Sequence, residues 1–434
     1  MSTPEHLTDT QFAELELVPT LHDALAGAGY EFCTPIQAES IPRFLDGKDI
    51  AGQAQTGTGK TIAFLLCTLN KLLSQAPMEG REKRHIRALI LAPTRELAIQ
   101  IEKDAIPLIA GTDVKLGLAY GGTDWEKQKE KIDAGVDILV GTPGRIIDYY
   151  KQRVFSLSKC EVVVLDEADR MFDLGFIADL RYLLRRCPPA DQRRNLLFSA
   201  TLSNKVLEMA YEHMGDPVLV KIETDNMTAD RVRQVMYYPG NHEKIPLLIG
   251  LLQKLQPERA MVFINTKYEA ENVWRWLKGN DFSVEVISGD VRQKKRERLL
   301  EQFKQGELNI VIATDVAARG LHIPGVTHVF NYDLPDDKED YVHRIGRTAR
   351  AGAEGDAISF ACETYAFNLG DIEEYIGHKI PLETVDPDLL AEPKPKAPRP
   401  ERGPRPPGGG RGGNRNGNRG GGRGGNRGGN RGRR

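Results

Sequence analysis

Residues 49–61 read DIAGQAQTGTGKT. The short run Asp49–Gln53 predicts a β-strand, a glycine-rich turn follows, and an apolar helix opens near Thr61. In a strand–turn–helix of this kind, successive backbone N–H groups point inward around anionic oxygens. The helix N-terminus adds partial positive charge. Gln55, Thr56, Gly57, Thr58, Gly59, Lys60 and Thr61 are therefore candidate ligands of a nucleotide's phosphates. Lys60 suits the β- and γ-phosphates as a point charge, and the Thr61 hydroxyl suits Mg²⁺. Ala54 stands where such a loop usually carries its first glycine. Taken alone, a glycine-rich βα turn with a chance Lys-Thr would read the same way.

Outward from this loop, short β-branched runs alternate with longer amphipathic stretches. Strands are expected at Arg87–Pro93, Lys115–Gly121, Asp137–Gly141, Glu161–Leu165, Asn195–Ser199 and Val218–Ile222. The rhythm resumes at Arg259–Asn265, Ser283–Ser288, Asn309–Ala313, His328–Tyr332 and Asp356–Ala361. Continuous apolar strands between helices imply βαβ units and parallel sheets covered on both faces. Two such series predict two doubly wound α/β domains, residues 1–222 and 231–387. The polar, aperiodic stretch Glu223–Asp230 is the expected linker, and residues 388–434 are the expected disordered tail.

A phosphate loop needs an acid at a neighbouring strand end. Glu161–Asp169 reads EVVVLDEAD, an apolar strand that ends in Asp166 and Glu167. Asp166 is placed to hold Mg²⁺ through water, since Mg²⁺ keeps most of its hydration. Glu167 is placed to orient and deprotonate an attacking water. Acids at a strand end also serve as solvated helix caps, and the phosphate loop upstream weighs against that role here.

Composition narrows the partners. The net charge of −2 hides an asymmetry: residues 391–434 hold 13 basic and 2 acidic residues, a net of +11, which leaves −13 on the body. Gly408–Arg434 is built of 14 Gly, 8 Arg and 5 Asn, so it has no apolar surface to offset the entropy of folding. An acidic body with a basic tail points to a polyanionic partner. The five scattered cysteines form no CxxC pair, which argues against zinc and against a disulfide framework. No run of 18 apolar residues occurs, and Met1–Gln11 lacks a secretory pattern, so a cytoplasmic protein without a membrane span is expected.

Asp166-Glu167-Ala168-Asp169 is the tetrapeptide that names the DEAD-box helicases, and the chain resembles that family over about residues 12–385. Further motifs occur in the family's order. They are TPIQ ending at Gln37, PTREL at 93–97, Gly121-Gly122, TPGR at 142–145 and SAT at 199–201. VFIN at 262–265, QKKR at 293–296, ATDVAARG at 313–320 and HRIGRTAR at 343–350 follow. The resemblance implies two tandem RecA-like domains, ATP and Mg²⁺ as ligands, and RNA as partner. Gln37 would read the adenine edge, with Phe12 and Tyr30 near the base. Arg347 and Arg350 would be arginine fingers that reach the γ-phosphate when the domains close. Ser199, Thr201 and His343 would couple nucleotide state to closure. His322 stands where the family has an Asp that holds a ribose hydroxyl, and Ala349 replaces a family Gly.

For RNA, the resemblance carries over Arg95, Gly121, Gly122, Thr142, Pro143, Gly144 and Arg145 from the first domain. Gly289, Gln293, Arg296, Thr314 and Arg319 carry over from the second. Phosphate contacts of this type position a strand without reading its sequence. The segments RGLHIP at 319–324, FNYDLPDD at 330–337 and YIGHKIP at 375–381 resemble the branch of the family that acts in bacterial RNA degradation. That likeness implies the endoribonuclease RNase E and an RNA degradosome as partners. Local, non-processive unwinding is the expected activity. An ATP-gated RNA clamp or scaffold uses the same motifs, and a DNA translocase is disfavoured by Gln37 together with the DEAD sequence.

Overall fold

The computed structural model describes residues 7–54, 57–122, 125–222, 232–288, 291, 293–318, 325–348 and 355–399. The expected linker at 223–230 lies outside them, as do Gln55, Thr56, Gly289, Arg319, His322, Ala349, Arg350 and the Arg-Gly-Asn tail.

The first lobe contains β1 (Ile50–Gln53), β2 (Ala88–Leu91), β3 (Leu116–Ala119), β4 (Ile138–Gly141), β5 (Val162–Leu165), β6 (Arg194–Ser199) and β7 (Val218–Lys221). They form one parallel sheet in the order β3-β4-β2-β5-β6-β1-β7. Alternate residues feed opposite faces. Ile90, Val140, Val164 and Leu196 join the core under the helices Pro35–Leu45, Lys60–Ser74 and Arg95–Ile109. Leu89, Leu139, Val163 and Leu197 join the core on the other face. Each fully buried side chain of this size contributes roughly 1.5–3 kcal/mol. The expected continuous apolar strands follow from that two-sided cover.

The second lobe contains β8 (Val232–Tyr237), β9 (Ala260–Phe263), β10 (Val284–Ile287), β11 (Ile310–Ala313), β12 (His328–Asn331), β13 (Gly355–Phe360) and β14 (Leu382–Glu383). Its order, β10-β11-β9-β12-β13-β8-β14, is that of the first lobe advanced by seven strands. The two lobes are therefore the same doubly wound design used twice, as expected. Two of its strands are absent from the sequence reading. β8 is VRQVMY, in which Arg233 and Gln234 interrupt the apolar run. β14 is a two-residue exposed edge. Among the described residues no helix is long and apolar enough to cross a membrane.

Residues 388–397, expected to belong to the disordered tail, are instead part of the folded body. Leu389, Leu390 and Ala391 pack on the second-lobe core. The proline-rich stretch then runs along the helix Lys267–Gly279. Lys394 N donates to Asn280 Oδ1 at 2.8 Å, and Ala397 N donates to Arg275 O at 2.9 Å. Lys396 lies over the Trp276 ring at 4.8 Å. Three apolar residues in a row supply the burial that the Arg-Gly-Asn repeat lacks, and this is the physical reason for the later boundary. Two helix glycines make room for the strap. A Cβ on Gly250 would collide with the Leu389 carbonyl, and one on Gly279 with the Pro395 carbonyl. Alanine in a helix is worth ~1 kcal/mol over glycine, yet Gly279→Ala is expected to release the strap. Limited proteolysis within 388–397 should become faster while cleavage elsewhere is unchanged. A strap as protected in the variant as in the parent would refute this docking argument.

Candidate functional site

The phosphate loop leaves β1 and returns as the helix Lys60–Ser74. Gly57 and Gly59 hold φ of +90° and +88°, a conformation that L side chains seldom adopt, so glycine is required at both. Lys60 is buried and donates to Ala54 O at 2.7 Å, which folds its ammonium back across the turn. Thr61 follows at the second helical position, with Thr58 partly buried in the turn.

Gln37 lies beneath the loop. Its Oε1 accepts from Thr34 N at 2.8 Å, and its Nε2 donates to Gly59 O at 3.0 Å. The side chain that resembles an adenine reader is therefore tied directly to the phosphate loop. Phe12 is buried in the core, edge-on to Tyr30 at a centroid distance of 6.2 Å. Tyr30 is the half-exposed ring of the two.

The acidic pair sits where β5 ends. Asp166 is buried, and burial pushes its carboxyl up to about 7 against the pull of Lys60. Glu167 adopts a left-handed backbone at φ 51° and ψ 54° as it starts the helix Ala168–Asp173. A non-glycine residue there carries strain of order 1–3 kcal/mol, a pattern common at functional positions. Burial raises the Glu167 pKa, but Arg170, Lys60 and Arg347 outweigh it and hold the carboxyl below its ordinary value. Arg170 Nη1 donates to Glu167 Oε2 at 2.9 Å.

Asp169 and Arg170 were not among the expected site residues, although both sit in or beside the DEAD tetrapeptide. Asp169 Oδ2 accepts from Ala200 N and Thr201 N, both at 3.0 Å, and Asp169 N donates to Ser199 Oγ at 3.2 Å. The expected coupling residues Ser199 and Thr201 are thus fastened to the acidic motif through Asp169.

The second lobe closes the cleft. Arg347 is buried and near enough to Glu167 to lower its pKa. Arg347 Nε donates to His343 O at 3.2 Å. Lys60, Glu167, Arg347 and His343 line one cavity of about 420 Å³ between the lobes. The basic side chains at 344 and 347 do not form a solvated helix face. Arg344 is 1% exposed and grips both Asp315 oxygens at 2.6 Å, Asp333 O at 2.5 Å and Asn265 Oδ1 at 2.7 Å. It is a structural clamp, which leaves Arg347 for the cleft. Arg350 and His322 lie outside the described residues.

A second cavity, about 590 Å³, collects the residues carried over for RNA. Arg95, Gly121, Thr142, Gly144, Arg145 and Arg296 line it. Pro143 is buried as the first residue of the helix Pro143–Lys151. Gly122, at φ +87°, leaves no room for a Cβ beside Arg95. Thr314 is buried and caps the short helix Asp315–Ala318 through its carbonyl, while Gln293 begins the helix Gln293–Gln305. Glu96, missed by sequence, pairs across the lobes with Arg296 at 3.1 Å, and Arg296 Nη2 also donates to Ala317 O at 2.5 Å.

A phosphate loop that can receive its complementary arginine only from a second, like-folded lobe is the arrangement of tandem RecA-like helicases. Within them the chain belongs to the DEAD/DEAH box helicase family. The DEAD/DEAH box helicase profile matches residues 34–210, and the helicase conserved C-terminal domain matches residues 243–352. The chain is 58% identical over 387 residues to the ATP-dependent RNA helicase RhlB of Shewanella oneidensis, which spans 89% of this chain and 88% of that protein. A Vibrio vulnificus RhlB is likewise 58% identical, covering 89% of each chain. Saccharomyces cerevisiae Dbp5 bound to RNA and ADP BeF3 superposes with a TM-score of 0.76 at 32% identity, covering 86% of this chain and 95% of that one. Mss116p bound to ssRNA and AMP-PNP gives 0.77 at 27% identity, covering 90% of this chain and 84% of that one.

Proposed function

We propose that the protein is an ATP-dependent RNA helicase that couples ATP hydrolysis between its lobes to local, non-processive separation of RNA strands. The observation that carries this reading is that both cavities span the lobes. Arg347 meets Glu167 in one, and Arg296 meets Glu96 in the other. One closure therefore assembles the hydrolytic site and the strand-binding groove together.

ATP enters with its phosphates on the Lys60 loop. Glu167 takes the proton of the attacking water, and Arg347, joined by Arg350, offsets charge on the transferring phosphoryl group. The donors suit Mg²⁺: Thr61 offers a hydroxyl, and Asp166 offers a buried carboxylate beside Lys60 at the end of β5. Among the described residues no cluster of three His, Cys, Asp or Glu could hold a metal. That fits a cation held chiefly by substrate phosphates and water. When bound, Mg²⁺ would offset phosphate charge in the transition state.

On the strand side, glycine backbones and arginine forks grip phosphates. Contacts to 2′-hydroxyls would favour RNA over DNA. Base-pair steps are worth ~1.4 kcal/mol each, so one closure that bends a strand separates only a short duplex. The basic tail adds sequence-independent affinity that weakens with salt. The setting implied by the resemblance is cytoplasmic RNA degradation with RNase E. A pull-down in which RNase E fails to accompany the full chain would remove that partner.

The test is ATP turnover with RNA, with DNA and with neither, alongside strand displacement per ATP hydrolysed. RNA alone should stimulate turnover, and short duplexes should part. Stimulation without displacement would favour the clamp instead. Removing residues 400–434, and not the docked strap, should weaken RNA binding and flatten its salt dependence. Equal salt slopes with and without the tail would defeat its role.

A further inference from the structure

We propose that the cavity between the lobes is the exit path of the cleaved phosphate, and that an acidic mouth at its outer end sets how fast the phosphate leaves. The cavity holds about 420 Å³, space for several waters or a hydrated anion. Its inner end is Lys60, Glu167 and Arg347. Its solvent-facing residues are the exposed Asp173, Asn204 and Lys205 of the first lobe and the exposed Asp337 and half-buried Glu339 of the second, and these define the mouth. Phosphoryl transfer runs with the attacking and leaving oxygens roughly in line. The freed phosphate therefore lies on the Glu167 side, away from the diphosphate, and this cavity opens from that side.

Charge along the path is graded. The more buried part carries Lys60, Arg170 and Arg347 against Glu167, Asp169 and Asp340, so its charges nearly balance and an arriving anion meets cations there. The mouth carries Asp173, Asp337 and Glu339 against the single cation of Lys205. Like charge at a narrow mouth raises the barrier to passage without changing how the anion is held inside. The residues of the mouth come from both lobes, so the barrier exists only in the closed cleft. A retained phosphate keeps Arg347 engaged and the lobes shut. The mouth thus times how long RNA is held after hydrolysis. Asp173 and Lys205 are exposed and Glu339 is half-buried, so none of the three is needed for the core.

The inference rests on the proposed ATP hydrolysis at Lys60 and Glu167, and the experiment separates the two. Full-length protein saturated with RNA is followed by quench-flow for ATP cleavage and by stopped-flow with a fluorescent phosphate-binding protein for release. The work is done at pH 8, above the value of about 7 to which a hydrogen bond with Asp337 and then burial raise Glu339. Asp173→Asn with Glu339→Gln should speed release roughly fivefold, about what removal of like charge near a partly exposed path is worth, and leave cleavage unchanged. Asn204→Trp, which narrows the mouth, should slow release alone. Release equal to wild type in both variants would overturn the proposal, as would cleavage and release changing in step. Absence of RNA-stimulated cleavage in the wild type would instead sink the hydrolysis reading on which it stands.

Discussion

Glu167→Gln is expected to lower RNA-stimulated ATP turnover by about 10²–10⁴-fold, the usual worth of a positioned general base, while ATP binding is retained. The substitution keeps the shape of the side chain and can still accept from Arg170, whose Nη1 lies 2.9 Å from Glu167 Oε2. What it removes is the ability to take a proton. The carboxylate is aimed by the left-handed backbone at φ 51°, which a glutamine in the same place inherits. Phosphate ligation does not depend on this proton, because Lys60 and the loop glycines belong to another strand end. Steady-state turnover measured beside nucleotide-binding titrations decides it. Turnover within tenfold of wild type would mean that another group takes the proton, and loss of binding would mean that the carboxylate is structural.

Legibility followed the local physics of each segment. All seven first-lobe strands were readable, because two-sided burial demands near-continuous apolar runs such as Ala88–Leu91 and Val162–Leu165. β8 and β14 were not, since Arg233 and Gln234 sit within a strand and Leu382–Glu383 is an exposed edge with no pattern. The phosphate loop and the acidic pair were readable because their chemistry is local in sequence. Partners that meet only through folding were not. Glu96 reveals its role only beside Arg296, about two hundred residues later, and Arg170 only once Glu167 turns back on it. Arg344 and Arg347 look alike along the chain, and only their neighbours separate clamp from cleft. The strap was hidden by its prolines, which mark a linker when read alone and a docked extended segment when Gly250 and Gly279 lie beneath.

Arg347→Ala should reduce RNA-stimulated turnover by ~10³–10⁵, the range measured for arginine fingers, and bring it to the level seen without RNA. Arg347 is buried in the cleft, where its Nε donates to His343 O at 3.2 Å. A thermal melt of Arg347→Ala is expected to give a midpoint close to wild type, so that lost turnover is read on a folded lobe. Arg344 differs, because its removal would strand Asp315 and the Asp333 carbonyl and unfold the lobe before any catalytic effect could be read. Arg347→Lys restores charge but not the planar fork, so it should recover only part of the loss. In the proposed mechanism RNA draws the lobes together, and closure delivers this guanidinium to Glu167 and the phosphate. If Arg347→Ala remains fully stimulated by RNA, closure transmits nothing through this side chain, and the link between strand binding and hydrolysis must run through other groups.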